Sequence, residues 1–482
     1  MKICLLNDSF PPVIDGVVNA VLNYASVLEH RKDFEVMVGT PYYPGTDYSS
    51  YAFPVKTYPS LDTSALTGGY RAGYPFPVKE IGDMAAFAPD IIHTHCPVSS
   101  CFIARSLRDA SGAPVILTYH TKYDIDIKRT VPPLLQDECI RALVNNVSAC
   151  DEVWAVSKGA GESLQALGYE GEFLVMPNGV DFPKGRCSEE EVTAAVKGCD
   201  LPAGIPVFLF VGRLVNYKGL PMIIDALHEL AQEKDFRMVM IGQGTDSEGL
   251  KEKIRAYGMS YDEKAEDGTI VSHAGSSQFG KIIFTGPVRD RNILRAWNTR
   301  ADLFLFPSTF DTNGLVVREA AACGLASVLI RGSCAAEDIT DGRNGFLIEE
   351  NSGSLAAFLK HACSHGSEIR EAGEHAMAEI YLSWENAVGR AAVRYREVLD
   401  LKQAGRFTPA RQAADDPLYT MAGDAVRRYL DIRQNDLPEF EGMMDNFEDL
   451  TSVIGDALLD FLDDRRNELE KGIRDLLNGN TG

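Results

Sequence analysis

Short apolar runs alternate with amphipathic segments along this chain, and the whole pattern occurs twice. In the first half the runs are residues 2–7, 34–39, 90–95, 115–120, 152–157 and 173–178. In the second half they are 207–212, 237–242, 282–286, 303–307, 327–332 and 345–350. Continuous apolar runs bracketed by helices indicate parallel strands covered on both faces. The sequence therefore predicts an α/β protein with two doubly wound, Rossmann-like domains, whose ligands bind after the carboxyl ends of the strands.

A charged, Gly/Pro-rich segment between the two halves indicates a linker. We place the first domain at 1–190 and the second at 200–380, and we interpret the polar segment Gly258–Gly280 as a surface excursion between a helix and a strand. Residues 403–482 contain helical spacing and no strand-like run, which predicts a helical extension. A hairpin packed on the body is the interpretation of this extension, with an oligomerisation or partner-docking helix as the alternative.

Composition limits the partners and the compartment. The chain of 482 residues has 69 acidic and 47 basic residues, a formal charge of −22, which disfavours nucleic acid as a partner. The same charge disfavours broad adsorption to anionic membranes, although a local basic patch at Lys122, Lys128 and Arg129 is compatible with peripheral contact. Ten scattered cysteines without a C-x-x-C pair indicate reduced thiols. With no signal peptide and no membrane-length apolar run, a cytoplasmic protein is expected.

The segment Pro307–Gly324 is the strongest motif. A strand ends in a polar turn and a helix begins near Asn313–Gly314, where free N–H groups and the helix dipole suit phosphate oxygens. Asp311 lies in the turn and Glu319 lies two turns into the helix. Carboxylates at this interval suit a sugar and a ribose, because they accept hydrogen bonds from vicinal hydroxyls.

These residues resemble the motif of the retaining glycosyltransferase family 4, which has the GT-B fold, and the resemblance extends to about residue 400. It implies that Glu319 binds the donor ribose, that Gly314 and Leu315 contact the phosphates, and that Asp311 stands where the family has a sugar-binding Glu. The shorter side chain at Asp311 changes its reach by roughly 1.5 Å. The resemblance also implies that residues 381–401 form a helix that crosses back to the first domain.

Two basic residues follow the first strand of the second domain, in the segment Phe208–Gly219. Arg213 and Lys218 can neutralise the charge that grows on a departing diphosphate, a role that a metal ion plays elsewhere. The resemblance assigns both to the donor diphosphate. Neither a metal site nor a cofactor is predicted, because no ligand cluster is convincing and the nucleotide sugar is a substrate.

The remaining candidate residues follow other strands. Gly16 opens the first helix and allows a phosphate or sugar to approach the backbone closely, while the absence of G-x-G-x-x-G argues against a nicotinamide dehydrogenase. His93, His95 and His120 end adjacent strands and are expected to face one cleft. By resemblance His120 contacts the transferring sugar. His95 lines the acceptor side or organises its loop. The acceptor side also includes Tyr123, in the stretch 119–124, which is similar to bacterial diacylglycerol glucosyltransferases; Gly244 and Val288 complete the predicted donor site.

The hypothesis is a retaining hexosyltransferase that uses a nucleotide diphosphate sugar, with UDP preferred over GDP, and an acceptor that is a glycolipid, a diacylglycerol or a polysaccharide. Domain closure brings the acceptor hydroxyl to the anomeric carbon and excludes water. Two rivals stay open. A sugar-nucleotide epimerase would release altered nucleotide sugar without an acceptor, and a non-catalytic binding protein would show no turnover.

Overall fold

The computed structural model describes residues 1–63, 69–131, 133–265 and 268–406, and at residues 126, 129, 130 and 135 it describes the backbone alone. Two sheets dominate it. The first has seven parallel strands in the order β3-β2-β1-β6-β7-β8-β9. Its strands are β1 (Lys2–Leu6), β2 (Glu35–Pro41), β3 (Val55–Tyr58), β6 (Ile91–Thr94), β7 (Val115–Tyr119), β8 (Glu152–Ala155) and β9 (Leu174–Val175). A small antiparallel pair, β4 (Ser60–Asp62) and β5 (Arg71–Gly73), lies beside it.

Helices cover both faces of this sheet because each has one apolar stripe. They are α1 (Gly16–Glu29), α2 (Val78–Ala86), α3 (Ser99–Ser111), α4 (Tyr123–Thr130), α5 (Pro133–Ser148) and α6 (Lys158–Ala166). One face of the sheet packs on α1 through Val21, Tyr24 and Leu28, and the other packs on α3 through Ile103 and Leu107. The parallel order brings the carboxyl ends of β1, β6 and β7 to one edge, which is where the site lies.

The second sheet has eight strands in the order β13-β12-β14-β11-β10-β15-β16-β17, parallel except for the β12–β13 pair. Its strands are β10 (Val207–Val211), β11 (Arg237–Ile241), β12 (Ser260–Lys264), β13 (Ile270–His273), β14 (Lys281–Gly286), β15 (Leu303–Phe306), β16 (Ser327–Ile330) and β17 (Phe346–Ile348). The helices that follow α6 in chain order, before the final helix, are α7 (Glu189–Ala195), α8 (Leu220–Leu230), α9 (Ser247–Ala256), α10 (Arg291–Arg300), α11 (Leu315–Ala322), α12 (Ser352–Ala362) and α13 (Gly366–Glu379).

The predicted surface excursion at Gly258–Gly280 is wrong. Residues in this segment form β12 and β13, and β12 pairs in parallel with β14. Tyr261 explains why a polar segment joins the sheet: its ring is 1% exposed and stacks on His273 at 4.3 Å between ring centroids. Asp262, also in β12, accepts a salt bridge from Lys281 at 3.4 Å. This segment carries paired charges near the edge of the sheet and lacks the alternation of apolar residues on which a strand prediction depends.

A final helix, α14 (Trp384–Gln403), returns to the first sheet as the resemblance implied. Its buried residues Trp384, Val388 and Tyr395 join the core that contains Ile3, and its Arg394 binds Glu152 at 2.6 Å. The carboxyl-terminal part of the chain is thereby tied to the first sheet. Across the described ranges, every helix is too short or too polar to traverse a lipid bilayer. The predicted helical extension lies, from residue 407 onward, outside the described residues.

Candidate active site

The loop after β10 carries the two predicted cations. Lys218 closes a short 3₁₀ turn and binds Asp311, with 2.7 Å between Nζ and Oδ1. Ser308 donates to the other carboxylate oxygen of Asp311 at 2.6 Å. Glycine is required at residue 219, because φ is +78° and a Cβ would lie 2.2 Å from the Pro307 carbonyl oxygen. This close approach joins the two predicted donor loops and brings Lys218 and Asp311 together, a pairing that the sequence did not predict.

Arg213 differs from Lys218 in being uncommitted. Its side chain is exposed, and among the described residues it has no hydrogen-bond or ion-pair partner. The phenol of Tyr70, from the first domain, lies close enough to Arg213 for the guanidinium charge to act on the pKa of the phenol. Tyr70 donates a hydrogen bond to Asp15 at 2.7 Å. Within the described part of the chain, Arg213 is therefore a cation without an ionic partner, and it faces the first domain across the cleft.

The start of α11 lies opposite the start of α1. Gly314 has φ +56° and a Cβ there would lie 2.9 Å from the Ala335 methyl group, so glycine suits this helix start. The next residue, Leu315, has its Cδ1 4.0 Å from the position that a Cβ of Gly16 would occupy. The predicted donor residues Gly16, Gly314 and Leu315 thus come from two domains to one place. Asn313 lies beside them, and its buried Nδ2 has no hydrogen-bond partner in the described part of the chain.

Asp15 caps the amino-terminal end of α1. Its Oδ1 accepts hydrogen bonds from the amides of Val17 and Val18, both at 2.7 Å. The chain therefore supplies its own carboxylate where free N–H groups would otherwise face the cleft. We conclude that a carboxylate of the chain already caps the start of α1, whereas the start of α11 has no side-chain cap.

The predicted ribose ligand Glu319 has an unpredicted partner. Arg291 at the start of α10 binds Glu319 at 2.5 Å, also pairs with Asp181, and lies 4.4 Å from the centre of the Phe182 ring. Burial raises the pKa of the Glu319 carboxyl above its ordinary value, and the charge of Arg291 limits that rise. Sequence reasoning gave no role to Arg291 or Asp181. Their adjacency to Glu319 exists only after folding.

Two further predicted donor residues, Gly244 and Val288, follow other strands of the second sheet. Gly244 allows backbones to touch, because a Cβ there would lie 2.2 Å from the Leu214 carbonyl oxygen. The Leu214 amide in turn donates to Gln243 at 3.0 Å, so the loop after β11 supports the loop that carries Arg213. Val288 follows β14 and packs, partly buried, against the core of the second domain. Their predicted contacts with the nucleotide stay predictions.

The three histidines do not face one cleft as expected. His93 lies inside β6, fully buried, and contacts Tyr395 Oη at 2.6 Å and Thr118 Oγ1 at 2.7 Å. His95 is also fully buried and its Nδ1 lies 2.9 Å from His120 Nε2. Burial lowers the pKa of His120 to about 3 and the pKa of both other imidazoles well below the ordinary value. The prediction for His93 is wrong, because the pleat of the strand turns its ring toward α14.

His120 is placed at the domain junction. Its carbonyl oxygen accepts a hydrogen bond from Thr312 of the second domain at 2.5 Å, and its Nδ1 lies 3.4 Å from Asn178 Nδ2. Both ring nitrogens therefore have neighbours inside the first domain, and the contact with Asn178 is the longer of the two. The fully buried ring of His95 stacks on the His120 ring with 5.2 Å between ring centroids, and the role of His95 stays a prediction.

The acceptor side also contains a carboxyl group that sequence reasoning missed. Asp8 follows β1, accepts a hydrogen bond from the Ser100 amide at 2.6 Å, and has a buried Oδ2 with no hydrogen-bond partner among the residues that the structure describes. Burial raises the pKa of Asp8 to about 6. Tyr123, a predicted acceptor residue, donates to Cys96 at 3.3 Å beside it. Its position directly after the first strand was the available signal for Asp8.

Contacts between the domains close the cleft. The Glu337 carboxylate accepts hydrogen bonds from the amides of Lys158 and Gly159 at the start of α6, at 2.7 Å and 2.5 Å. Lys122 donates to the Thr309 carbonyl oxygen at 3.1 Å. Lys122, one of the three residues of the basic patch considered for peripheral membrane contact, thus reaches across the cleft, and membrane contact stays a prediction. Lys128 pairs with Asp124 at 3.2 Å, and the side chain of Arg129 lies outside the described residues.

The described part of the chain contains no group of three or more His, Cys, Asp or Glu side chains placed to hold a metal ion. The charges that face the cleft are instead Arg213, the Lys218–Asp311 pair and the Arg291–Glu319 pair. This arrangement can bind a diphosphate through the cations and a polyhydroxyl group through the carboxylates.

The chain is similar to known glycosyltransferases. A family model described as "Glycosyltransferase Family 4" matches residues 14–183, and one described as "Glycosyl transferases group 1" matches residues 205–365. A GDP-mannose-dependent alpha-mannosyltransferase of Corynebacterium glutamicum is 24% identical over 461 residues, 90% of this chain and 98% of that protein. An alpha-monoglucosyldiacylglycerol synthase of Acholeplasma laidlawii is 24% identical, covering 73% of this chain and 85% of that protein.

Among solved structures, Anabaena Alr3699/HepE in complex with UDP-glucose superimposes with a TM-score of 0.61 at 19% identity, covering 82% of this chain and all of that one. This likeness bears on the fold alone. The two family models together span more than half of the chain, one on each sheet. The chain therefore belongs to the family 4 type of glycosyltransferases with the GT-B fold.

Proposed function

We propose that this protein is a retaining glycosyltransferase that moves a hexose from a UDP-sugar to an acceptor hydroxyl group without a metal ion. The observation that carries the proposal is that the exposed Arg213, which has no ionic partner among the described residues, the Lys218–Asp311 pair and the start of α11, which has no side-chain cap, all belong to the second domain and follow its strands. In the proposal Arg213, Lys218 and the amides near Gly314 and Leu315 bind the diphosphate, and Glu319 binds the ribose. Val288 and Gly244 line the rest of the nucleotide site.

The electrostatics suit the departure of a nucleotide diphosphate. As the bond between the anomeric carbon and the phosphate oxygen breaks, negative charge grows on that oxygen, and two fixed cations stabilise it. The acceptor oxygen bonds to the anomeric carbon on the same face, and its proton passes to the departing phosphate oxygen. Configuration is then retained. Asp311, positioned by Ser308 and Lys218, accepts hydrogen bonds from the sugar in this proposal.

His120 acts as a hydrogen-bonding residue rather than as a proton carrier. Its pKa of about 3 keeps the imidazole neutral at working pH. A sugar hydroxyl can replace the long contact with Asn178, while the shorter contact with His95 keeps the ring in place. On the acceptor side, Tyr123 and the unpartnered oxygen of Asp8 provide the polar groups for the incoming hydroxyl.

GDP-mannose is a second candidate donor. The observation in its favour is the Corynebacterium glutamicum relative, named as GDP-mannose-dependent, which matches 90% of this chain. Competition between UDP and GDP for the free protein, measured by calorimetry, separates the two donors. Tighter binding of GDP would replace the UDP proposal and leave the rest of the mechanism unchanged.

The acceptor is proposed to be a glycolipid, a diacylglycerol or a polysaccharide, used at the cytoplasmic face of a membrane or in the cytoplasm. One relative is named as an alpha-monoglucosyldiacylglycerol synthase, and the acidic total charge of this chain opposes broad adsorption to anionic lipid. Flotation with liposomes tests whether the acceptor is a lipid. One liposome preparation is neutral and the other contains about 30% anionic lipid, a charge density that attracts basic patches. Co-flotation supports a lipid acceptor, and its absence favours a soluble glycan.

The Lys218→Ala variant tests the catalytic assignment. We expect turnover to fall by about 10²–10³-fold, the size seen when one charge-stabilising group is removed, with a melting temperature near that of the wild type. Lys253→Ala is the matched control, because Lys253 also pairs with an aspartate, Asp225, at 2.8 Å but lies on α9. Equal turnover in both variants would contradict the assignment.

A donor panel analysed by mass distinguishes the rival functions. UDP- and GDP-hexoses are incubated with and without lipid and glycan acceptors, in buffer with EDTA and in buffer with Mg²⁺. A glycosylated acceptor together with free nucleoside diphosphate supports the proposal, whereas altered nucleotide sugar without acceptor indicates an epimerase. Bound nucleotide sugar without any product indicates a binding protein. Activity that EDTA abolishes would contradict metal independence.

A further inference from the structure

A groove along the edge strand β3 lies outside the catalytic cleft. Its volume is about 620 Å³, which is within the range of ~300–1,000 Å³ that small-molecule sites have. The segment between β2 and β3 folds back over β3 and forms the groove walls. We call it the edge groove; the lining residues used below are Tyr42, Asp47, Tyr48, Tyr51, Phe53 and Thr57.

Aromatic rings form one wall of the edge groove. Tyr51 stacks on Phe53 with 5.3 Å between ring centroids, and Tyr48 lies 6.2 Å from Tyr51. Tyr42 is 47% exposed at the end of β2. Packing of the rings on one another restrains Tyr48 and Tyr51, so they present rigid amphipathic surfaces at little cost in conformational entropy.

The polar groups of the groove are uncharged apart from one carboxylate. Asp47 Oδ1 accepts a hydrogen bond from the Ser49 amide at 2.9 Å, which leaves its other oxygen exposed to accept more. The described lining residues include no Lys or Arg. Lys56, which lies between the lining residues Val55 and Thr57, reaches the other face of β3 and binds Asp83. A phosphate group would find no cation here, so a nucleotide or a phospholipid headgroup does not fit.

The edge groove is joined to the catalytic cleft by one loop. Tyr48 donates a hydrogen bond to the Pro11 carbonyl oxygen at 2.6 Å, and the Phe10 ring lies 5.6 Å from Tyr48. The same loop continues to Asp15 and Gly16, which face Leu315 across the cleft. Tyr42 directly follows β2, at the carboxyl edge of the sheet where the acceptor side lies.

We propose that the edge groove binds a neutral saccharide segment of the acceptor, several sugar units from the reacting hydroxyl. Pyranose rings present C–H faces that pack on aromatic faces, whose negative quadrupole attracts them. Their hydroxyl groups donate to carboxylates and exchange hydrogen bonds with Ser and Thr hydroxyls. The inference rests on the proposed glycosyl transfer and narrows its acceptor to one that already carries a glycan chain.

Binding of oligosaccharides without donor tests the proposal separately from catalysis. Linear maltoheptaose and linear α-1,6-mannoheptaose are titrated into the full chain up to about 10 mM, a range that detects millimolar affinity. We expect at least one to bind wild type and the Lys218→Ala variant equally. We also expect Tyr42→Ala to weaken binding roughly two- to tenfold, the size of one aromatic contact.

Two further variants make the outcome decisive. Asp47→Asn keeps the shape of an exposed side chain but removes its charge, and we expect it to weaken oligosaccharide binding as well. It replaces Tyr42→Ala as the test variant if Tyr42→Ala does not fold. Tyr257→Ala removes a tyrosine from the second domain and should leave binding unchanged. Absence of binding by both oligosaccharides, or equal binding in the Tyr42→Ala, Asp47→Asn and Tyr257→Ala variants, would overturn the proposal. Loss of turnover in Lys218→Ala with binding retained shows that the two functions fail independently.

Discussion

At the scale of the residue, the charged side chains of the cleft differ in whether they have an ionic partner within the described part of the chain. Lys218 and Asp311 neutralise each other at 2.7 Å, and Arg291 neutralises Glu319 at 2.5 Å. Arg213 has no such partner among the described residues. In the proposed function the donor diphosphate therefore meets Arg213 as an unpaired cation, and the sugar and ribose hydroxyl groups of the donor compete with existing partners for Asp311 and Glu319.

Substitution of the proposed ribose ligand tests this view. In Glu319→Gln a charged acceptor of ribose hydrogen bonds is lost, and such bonds contribute about 1.5–3 kcal/mol. We expect the Kd for UDP, measured by calorimetry, to rise roughly 10- to 150-fold. Glu368→Gln is the control, because Glu368 pairs with His361 on an outer surface, at 2.9 Å. If both variants bind UDP as the wild type does, Glu319 is not a donor ligand.

At the scale of the element, α14 holds the first sheet by polar as well as apolar contacts. Its Tyr395 is fully buried, stacks on Trp154 at 5.4 Å, and contacts His93 through its hydroxyl at 2.6 Å. Burial of His93 in neutral form makes this hydrogen bond necessary, since an imidazole nitrogen without a partner in the core is unfavourable.

The Tyr395→Phe variant isolates that hydrogen bond and keeps the ring. We expect the free energy of unfolding to fall by about 1–3 kcal/mol, because His93 Nδ1 is left buried without a partner. Turnover per folded molecule should not change, since α14 lies behind the first sheet. Tyr257→Phe, which breaks a surface hydrogen bond to Asp225, should cost less. Chemical denaturation measures both, and an equal loss in both variants would contradict the role given to Tyr395.

At the scale of the whole molecule, three buried neutral imidazoles make stability depend on pH. Burial lowers the pKa of His120 to about 3 and lowers the pKa of His93 and His95 well below ordinary values. In the unfolded chain the same groups take up protons below about pH 6.5. Their contribution to stability is therefore complete above that pH and is lost as the pH falls. Asp8 opposes this trend, because its raised pKa of about 6 makes the folded chain bind a proton earlier than the unfolded chain.

We expect a net uptake of roughly two protons on unfolding near pH 5, three on the histidines less the one that Asp8 already holds. The free energy of unfolding should then fall by about 2.7 kcal/mol per pH unit between about pH 6 and pH 4.5. Denaturation curves at several pH values measure this slope. The His93→Gln variant should have a shallower slope, and a slope near zero in the wild type would show that the imidazoles are protonated in the folded chain.

Much of the fold followed from local patterns, since a strand and a helix each leave a periodic record in neighbouring residues. All twelve predicted runs contain strands of the two sheets. β12 and β13 were not predicted, because their side chains are buried by pairing partners such as Tyr261 with His273 rather than by an apolar alternation. The loop residues Lys218 and Asp311 were predicted as functional, yet their direct pairing was not.

Sequence alone thus determined two parallel-sheet domains and the loops at the carboxyl ends of their strands, because those properties depend on residues close together in the chain. Tertiary structure decided which side chains meet. His93 contacts Tyr395, 302 positions away, and Arg291 joins Asp181 to Glu319 across 110 and 28 positions. Such contacts depend on strand order and on how the two sheets face each other, and no short-range pattern records either.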